Sequence, residues 1–284
     1  MLSLQTYADG AAFLAQTEQT FRADEARHGL IYGIAERLAT NPEYFVAAPY
    51  LATVHEAGQL AAAALMTPPH NLLVVTTADD PNPAFTLMAR NLIDDGWQVR
   101  GVNGLSAWSH AFAHTWHTLT GATPIKQMEL GVFELRQVFP PANVPGFIRP
   151  ATEAELDLIV DWYATFQIDA HINEAPPLPE NVLRRIHEQS IYLWEHNGPV
   201  SLAAQGRRTH SSISVGPVFT PAPLRGRGYA SACVAALSQL ILDEGWAFCT
   251  LFTDLANPTS NKIYQQVGYR PVCEFTDIRF THPA

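Results

Sequence analysis

The stretch Val218-Phe-Thr-Pro-Ala-Pro-Leu-Arg-Gly-Arg-Gly-Tyr-Ala-Ser231 joins an apolar segment to a long alanine-rich segment. Gly226 and Gly228 permit backbone conformations that a Cβ disfavours, and they leave the neighbouring main-chain N–H groups uncovered. The alanine-rich segment predicts a helix, whose first N–H groups and positive dipole end attract an anion. Arg225 and Arg227 add positive charge beside that end. The stretch therefore has the features of a phosphate-binding loop.

Spacing distinguishes between the known kinds of phosphate-binding loop. A nucleoside-triphosphate loop requires a lysine after its last glycine, and no lysine follows Gly228. The dinucleotide fingerprint Gly-x-Gly-x-x-Gly is met only in part, because Ser231 stands at its third glycine position. The pattern that fits is Arg/Gln-x-x-Gly-x-Gly/Ala, with Arg225, Gly228 and Ala230.

This loop, with Val218-Phe219-Thr220 before it, resembles the pyrophosphate loop of the GNAT superfamily of acetyl-CoA-dependent N-acetyltransferases. A second marker follows at the distance expected in that superfamily. Thr253-Asp-Leu-Ala-Asn257 closes a predicted strand, and the residues after it on a short helix and its exit are Asn261, Tyr264 and Gly268-Tyr269. The resemblance covers roughly the last half of the chain, about one ordinary domain length.

The resemblance implies that acetyl-CoA is the co-substrate and that the reaction is acetylation of a primary amine. It implies that the Val218 N–H donates to the oxyanion and that Tyr264 is the general acid, since a phenol stays protonated at neutral pH. The expected cofactor-binding residues are Val218, Phe219, Thr220, Arg225, Gly226, Arg227, Gly228, Tyr229, Ala230, Ser231, Asn257 and Asn261.

The sequence identifies neither the general base nor the acceptor. Some family members carry a glutamate on the strand before the loop, but residues 212–219 contain no carboxylate. A water held by Ser214, a carboxylate from Glu195 or Asp254, and proton release through water all stay open. Candidates for substrate contact lie in the loop that often borders the acceptor pocket in this family: Asp169, His171 and Glu174.

The predicted helices and strands alternate along the whole chain. Helices are predicted at 11–20, 23–38, 83–95, 106–119, 153–166, 180–189, 229–244 and 259–267. Strands are predicted at 44–55, 59–66, 71–77, 98–103, 126–138, 147–149, 191–195, 200–206, 212–220, 248–253 and 270–280, and residues 61–64 are equally compatible with a helix. Gly216-Pro217 is expected to interrupt pairing in its strand, because proline has no N–H to donate.

Length and element order favour two domains in the 284-residue chain. We predict a first module at 1–138, a proline-rich linker at 139–146 and a GNAT domain at 147–284. The two halves share an order of elements, which predicts a duplication. The expected fold class is α+β, with two GNAT-like modules that each have a mixed, mostly antiparallel central sheet flanked by helices.

The first module is expected to be a degenerate partner of the second. Its turn at the corresponding place, Ala78-Asp-Asp-Pro-Asn-Pro83, has no glycine and carries two carboxylates. These carboxylates would repel an anionic cofactor.

Composition narrows the range of partners. The net charge of −10 argues against nucleic acid, and the absence of a long apolar run argues against a membrane span. Three widely spaced cysteines favour a reducing, cytoplasmic location. His110, His114 and His117 share a helical face, but no carboxylate or cysteine completes a metal site, so we expect no metal. The oligomeric state stays open.

Two other functions compete with acetyl transfer. The chain could bind acyl-CoA as a sensor or scaffold without turnover, or it could bind NAD or ATP through the glycine-rich turn.

Overall fold

The computed structural model describes residues 1–45, 47–172 and 177–281. Within them the order β-α-α-β-β-β-α-β-α-β occurs twice in succession. The first repeat consists of β1 (Leu2–Thr6), α1 (Gly10–Ala23), α2 (Glu25–Thr40), β2 (Tyr50–Glu56), β3 (Gln59–Met66), β4 (Leu72–Thr76), α3 (Asn82–Asp94), β5 (Gly101–Leu105), α4 (Ser106–Thr120) and β6 (Thr123–Leu135). The second consists of β7 (Phe147–Pro150), α5 (Leu156–Asp169), α6 (Pro179–His187), β8 (Ile191–Glu195), β9 (Pro199–Arg208), β10 (Ser212–Phe219), α7 (Tyr229–Asp243), β11 (Phe248–Asp254), α8 (Pro258–Val267) and β12 (Arg270–Thr281).

The chain forms two compact units, and the strands within each unit pair in a mixed parallel and antiparallel pattern. In the first unit β1, β2, β3 and β4 pair in an antiparallel meander, and β4 then pairs with β5 in parallel. In the second unit β7, β8, β9 and β10 pair antiparallel, and β10 then pairs with β11 in parallel. The predicted α+β fold class, with two repeats in which mixed and mostly antiparallel strands are flanked by helices, is confirmed.

Local differences from the predicted elements lie near the start of the chain. The strand β1 at Leu2–Thr6 is absent from the predicted elements. Its five residues contain two half-buried leucines, and this alternation is too short to indicate a strand. The strand predicted from residue 44 begins at Tyr50 instead, since Pro42–Tyr44 form a 3₁₀ turn that proline favours at its start. Residues 61–64 lie in β3, where pairing on both sides outweighs the helix propensity of alanine.

The core of the second unit fixes α7 against its sheet. Cys233, Leu237 and Ile241 recur at helical spacing on α7 and are fully buried. They pack against residues of the neighbouring strands that include Ile213 and Cys249. The orientation of α7 is therefore set by packing along its length.

The final strand β12 belongs to the first unit. It pairs antiparallel with β5, from Phe275 opposite Leu105 to Arg279 opposite Gly101. Ile278 and Phe280 are buried in the first unit's hydrophobic cluster. The compact units therefore differ from the predicted segments 1–138 and 147–284: the first also takes residues 253–256 and those from Val272 onward, and the second begins at Phe133.

A fragment ending at residue 146 is expected to be far less stable than the whole chain. It lacks β12, so β5 becomes an unpaired edge, and it loses two core side chains each worth about 1.5–3 kcal/mol. Thermal unfolding followed by circular dichroism measures the loss. Adding a peptide of residues 270–281 should restore part of it, whereas a peptide with Ile278 and Phe280 changed to Ser should not. A fragment as stable as the whole chain contradicts this account.

Candidate cofactor-binding and catalytic site

The parallel strands β10 and β11 pair over a short length. Ser212 lies opposite Phe248 and Ser214 opposite Thr250, and in the described chain their pairing ends there although β10 runs on to Phe219. On the other side of β10, the register with β9 shifts between Val215 and Val218. Gly216-Pro217 lies at this shift, so the predicted interruption of the ladder is confirmed. The last residues of β10 thus lie beside an opening in the sheet.

The helix α7 begins without a side-chain cap. Its N-cap residue is Gly228, with φ +83°, and none of the next residues in the first turn is acidic. In contrast, the side chain of Asp9 accepts the Ala12 N–H at the start of α1. Because the first N–H groups of a helix have no partner within it, those of Tyr229, Ala230 and Ser231 are available to an external acceptor. An anion is the acceptor that the helix dipole also favours.

Both glycines of the loop have a left-handed backbone, but they differ in their surroundings. Gly226 has φ +76°, and an added Cβ would meet nothing within 4 Å. At Gly228 an added Cβ would lie 2.9 Å from Cγ2 of Val144, which belongs to the proline-rich segment. Gly228 is therefore required both by its backbone conformation and by the close approach of Val144.

Substitution of these glycines separates the two requirements. Gly226→Ala is expected to lower the free energy of unfolding by about 1–2 kcal/mol, the cost of a left-handed alanine. Gly228→Ala should lower it by about 2–4 kcal/mol, since contact with Val144 is added to that cost. Urea unfolding measures both values. Equal losses would show that the Val144 contact is unimportant.

Arg225 is held in place at the edge of the loop. Its Nε donates to the main-chain oxygen of Thr220 at 2.9 Å, and its Nη2 lies 2.5 Å from Oδ2 of Asp169. Its guanidinium also lies 5.9 Å from the centre of the Phe219 ring. Arg227 is exposed and makes a longer contact, 3.4 Å, with the main-chain oxygen of Pro223. The structure thus brings both predicted cations to the loop.

Ser201 on β9 hydrogen-bonds to the end of β10, and the sequence analysis did not identify it as a site residue. The Ser201 hydroxyl donates to the Phe219 main-chain oxygen at 3.0 Å and lies 2.8 Å from the Thr220 hydroxyl. Both hydroxyls are buried. The side chain of Thr220 is therefore engaged within the protein. A serine between Val200 and Leu202, in the apolar first half of β9, was the available signal.

Tyr264 lies on α8 with its ring packed edge-on against Tyr269, at 6.1 Å between ring centres. Burial raises the pKa of Tyr264 to about 12. No residue in the described ranges hydrogen-bonds its hydroxyl. Val218 and Tyr264 both pack on the hydrophobic cluster of the second unit. The phenol keeps its proton at neutral pH, and its hydroxyl is available to a ligand.

The two asparagines of the site have structural roles on α8. Asn257 is the N-cap, and its side-chain oxygen accepts the Ser260 N–H at 3.1 Å. The N–H of Asn261 donates to the main-chain oxygen of Asn257. Their predicted contacts with the cofactor arm remain predictions.

The open alternatives for the general base all have partners in the protein. Glu195 accepts from Arg149 at 2.8 Å and from the Gly198 N–H at 2.6 Å. The hydroxyl oxygen of Ser214 accepts the Arg207 N–H at 2.7 Å, and Asp254 accepts the Ala256 N–H at 2.8 Å. None of these groups is held ready as a base by the contacts that the structure describes.

Two histidines lie near the site: His196 is next to the start of α7, and His171 belongs to the predicted acceptor loop. His196, which the sequence did not single out, lies with Nδ1 2.8 Å from the hydroxyl of Tyr229, the first residue of α7. His171 follows Ala170, the C-cap residue of α5, and Glu174 lies outside the described residues.

The histidines of α4 bond to the main chain. Nδ1 of His110 lies 2.6 Å from the oxygen of Ser106, and Nδ1 of His117 lies 2.9 Å from that of Ala122. Across the described ranges, no group of three His, Cys, Asp or Glu residues could hold a metal ion.

In the first unit the helix that corresponds to α7 is α3, and the residues at its start differ. At the start of α3, Oδ1 of Asp80 accepts the main-chain N–H of Asn82 at 3.1 Å and its side-chain amide at 2.7 Å. A carboxylate of the protein thus lies where the second unit presents uncapped N–H groups.

These features define a chain with two repeats of one α+β fold, in which the second repeat has a helix start without a side-chain cap next to the point where β10 and β11 stop pairing. Residues 195–276 match the family model described as FR47-like protein. No curated protein matches the chain. None of the helices within the described ranges is long and apolar enough to cross a membrane.

Solved structures with GNAT names match the chain along its whole length. A GNAT-family acetyltransferase from Colwellia psychrerythraea is 12% identical, with 98% of this chain and 100% of that chain covered and a TM-score of 0.61. A GCN5-related N-acetyltransferase from Sphaerobacter thermophilus is 15% identical, with coverage of 100% and 96% and a TM-score of 0.63. A tandem GNAT protein from the clavulanic acid biosynthesis pathway is 11% identical, with 100% of both chains covered and a TM-score of 0.59. The chain has the tandem GNAT fold, as the sequence resemblance predicted.

Proposed function

We propose that this protein is an N-acetyltransferase that moves an acetyl group from acetyl-CoA to a primary amine. The observation that carries the proposal is the uncapped start of α7, with Gly226 and Gly228 before it, next to the opening between β10 and β11. A diphosphate fits the first feature, and an extended acyl arm fits the second.

The residues of the loop suit a diphosphate in charge as well as in shape. The first turn of α7 has no carboxylate, and Arg225 and Arg227 flank it. The N–H groups of Tyr229, Ala230 and Ser231 would bind the phosphate oxygens, as helix starts do in other anion sites. When bound, acetyl-CoA supplies an acetyl thioester whose leaving group is a thiolate.

We assign the roles of the reacting residues from the sequence resemblance. The N–H of Val218, near the end of β10, is the proposed donor to the negative charge that develops on the carbonyl oxygen. The hydroxyl of Tyr264 holds a proton that it can give to a departing thiolate, and its raised pKa keeps that proton in place over the neutral range. Asn257 and Asn261 are proposed contacts of the cofactor arm.

Loss of the ammonium proton is proposed to occur through water. Glu195, Ser214 and Asp254 each have a partner in the protein, so none is assigned as base. The acceptor is proposed to be an amine rather than a nucleic acid, given the net charge of −10. Cytoplasmic location is proposed from the three unpaired cysteines, of which Cys233 and Cys249 are buried.

The first unit is proposed to support the second without binding the cofactor. Asp80 already engages the start of α3, and Asp79 adds a second negative charge in the same turn. A diphosphate there would be repelled and would have to displace a carboxylate.

Titration calorimetry with coenzyme A tests this division. We expect one molecule bound per chain, because the turn before α3 in the first unit has no glycine and carries the carboxylates of Asp79 and Asp80. Asp80→Asn should leave the stoichiometry at one, since the turn still lacks glycine. Two equivalent sites per chain would contradict the proposed role of the first unit.

Removal of one hydroxyl tests the proposed acid. Tyr264→Phe is expected to lower kcat by about 10²-fold or more, the lower range for a general acid, with little change in coenzyme A affinity. The assay is thiol release with a panel of primary amines. Tyr192→Phe, which removes a hydroxyl elsewhere in the same core cluster, is the matched control and should retain activity. Full activity of Tyr264→Phe would remove Tyr264 from the mechanism.

A sensor or scaffold that binds acyl-CoA without turnover is the second candidate. The observation that favours it is that every candidate base already has a hydrogen-bond partner. Tight binding of acetyl-CoA without transfer to any amine, peptide or polyamine would support this candidate over the enzyme.

A further inference from the structure

The ion pair of Arg225 with Asp169 joins the phosphate loop to the end of α5. Asp169 is the last residue of α5, where the helix dipole is negative and a carboxylate is unfavourable. The last turn of α5 contains no basic residue. The cation beside this carboxylate is supplied by Arg225, 56 residues away in sequence.

Asp169 is not needed to place the guanidinium of Arg225. The hydrogen bond from Nε to the Thr220 oxygen and the Phe219 ring beneath the guanidinium already fix its position. Asp169 contacts Nη2, a different nitrogen of the guanidinium from the Nε that bonds to the main chain. The side chains of Arg225 and Asp169 are 50% and 42% exposed, so their pair is weak and screened by salt.

We propose that Asp169 competes with the cofactor's diphosphate for Arg225 and thereby lowers the affinity of the loop for coenzyme A, an inference that rests on the proposed function. A single guanidinium faces two anions, one from the protein and one from the ligand. The bound diphosphate and the Asp169 carboxylate would share the positive charge of this one guanidinium, and the carboxylate also repels the incoming phosphates. Asp169 is thus an affinity-setting residue that acts through Arg225.

The sign of the effect of Asp169→Asn on coenzyme A binding tests this inference. Competition predicts that the Kd falls by about two- to fivefold at low salt, which is the range for an exposed ion pair. The gain should shrink in 0.5 M salt, because screening weakens both the pair and the repulsion. Asp161→Asn removes the same charge from an exposed position of α5 and should leave the Kd unchanged.

A double-variant cycle tests whether Asp169 acts through Arg225. In an Arg225→Gln background, Asp169→Asn should give no further gain, since the shared partner is gone. A gain that persists there, or an Asp169→Asn chain that binds equally or more weakly than the unaltered chain, overturns the inference. If the unaltered chain binds no coenzyme A, both this inference and the proposed function fail. If it binds coenzyme A but the Kd does not change in the expected directions, only this inference fails and the proposed function stands.

Discussion

The early end of pairing between β10 and β11 is the constraint on which the site depends. Two parallel strands that paired along their whole length would cover the end of β10 and leave no place for an extended ligand arm. Gly216-Pro217 removes a donor and admits a register shift at the point where the strands part. Ser201 then fixes the carbonyl of Phe219, so the strand keeps a defined course after leaving its neighbour. The irregular pairing at Gly216-Pro217 is thus associated with an opening between the end of β10 and β11.

The N–H groups in the first turn of a helix have no partner within the helix, and the two units differ in what lies near these groups. Orphan N–H groups are costly unless an acceptor reaches them. In the first unit the acceptor is the carboxylate of Asp80, supplied by the protein itself. In the second unit Gly228 supplies no side chain, and the carboxylate of Asp169 contacts Arg225. In the first repeat a carboxylate of the protein lies at the helix start, whereas in the second repeat the helix start is open to an external anion.

Sequence reasoning succeeded where the controlling interaction is local. The left-handed conformations of Gly226 and Gly228, the break at Gly216-Pro217 and the repeated order of elements all follow from residues close to one another in the chain. It failed where distant residues meet. The partner of Arg225 lies at the end of another helix, and the hydroxyl of Ser201 reaches the next strand. Nothing in the sequence near β12 indicates that it completes the sheet of the first unit rather than of its own repeat.

The assignment of β12 to the first unit also bears on how such a chain can change during evolution. After a gene duplication, each copy normally carries every strand of its own sheet and can be lost, shuffled or fused elsewhere. Here a recombination point between the repeats would separate Ile278 and Phe280 from the hydrophobic cluster that they fill. The first unit therefore depends on the gene segment that encodes the last strand of the second repeat, because that strand supplies part of its core.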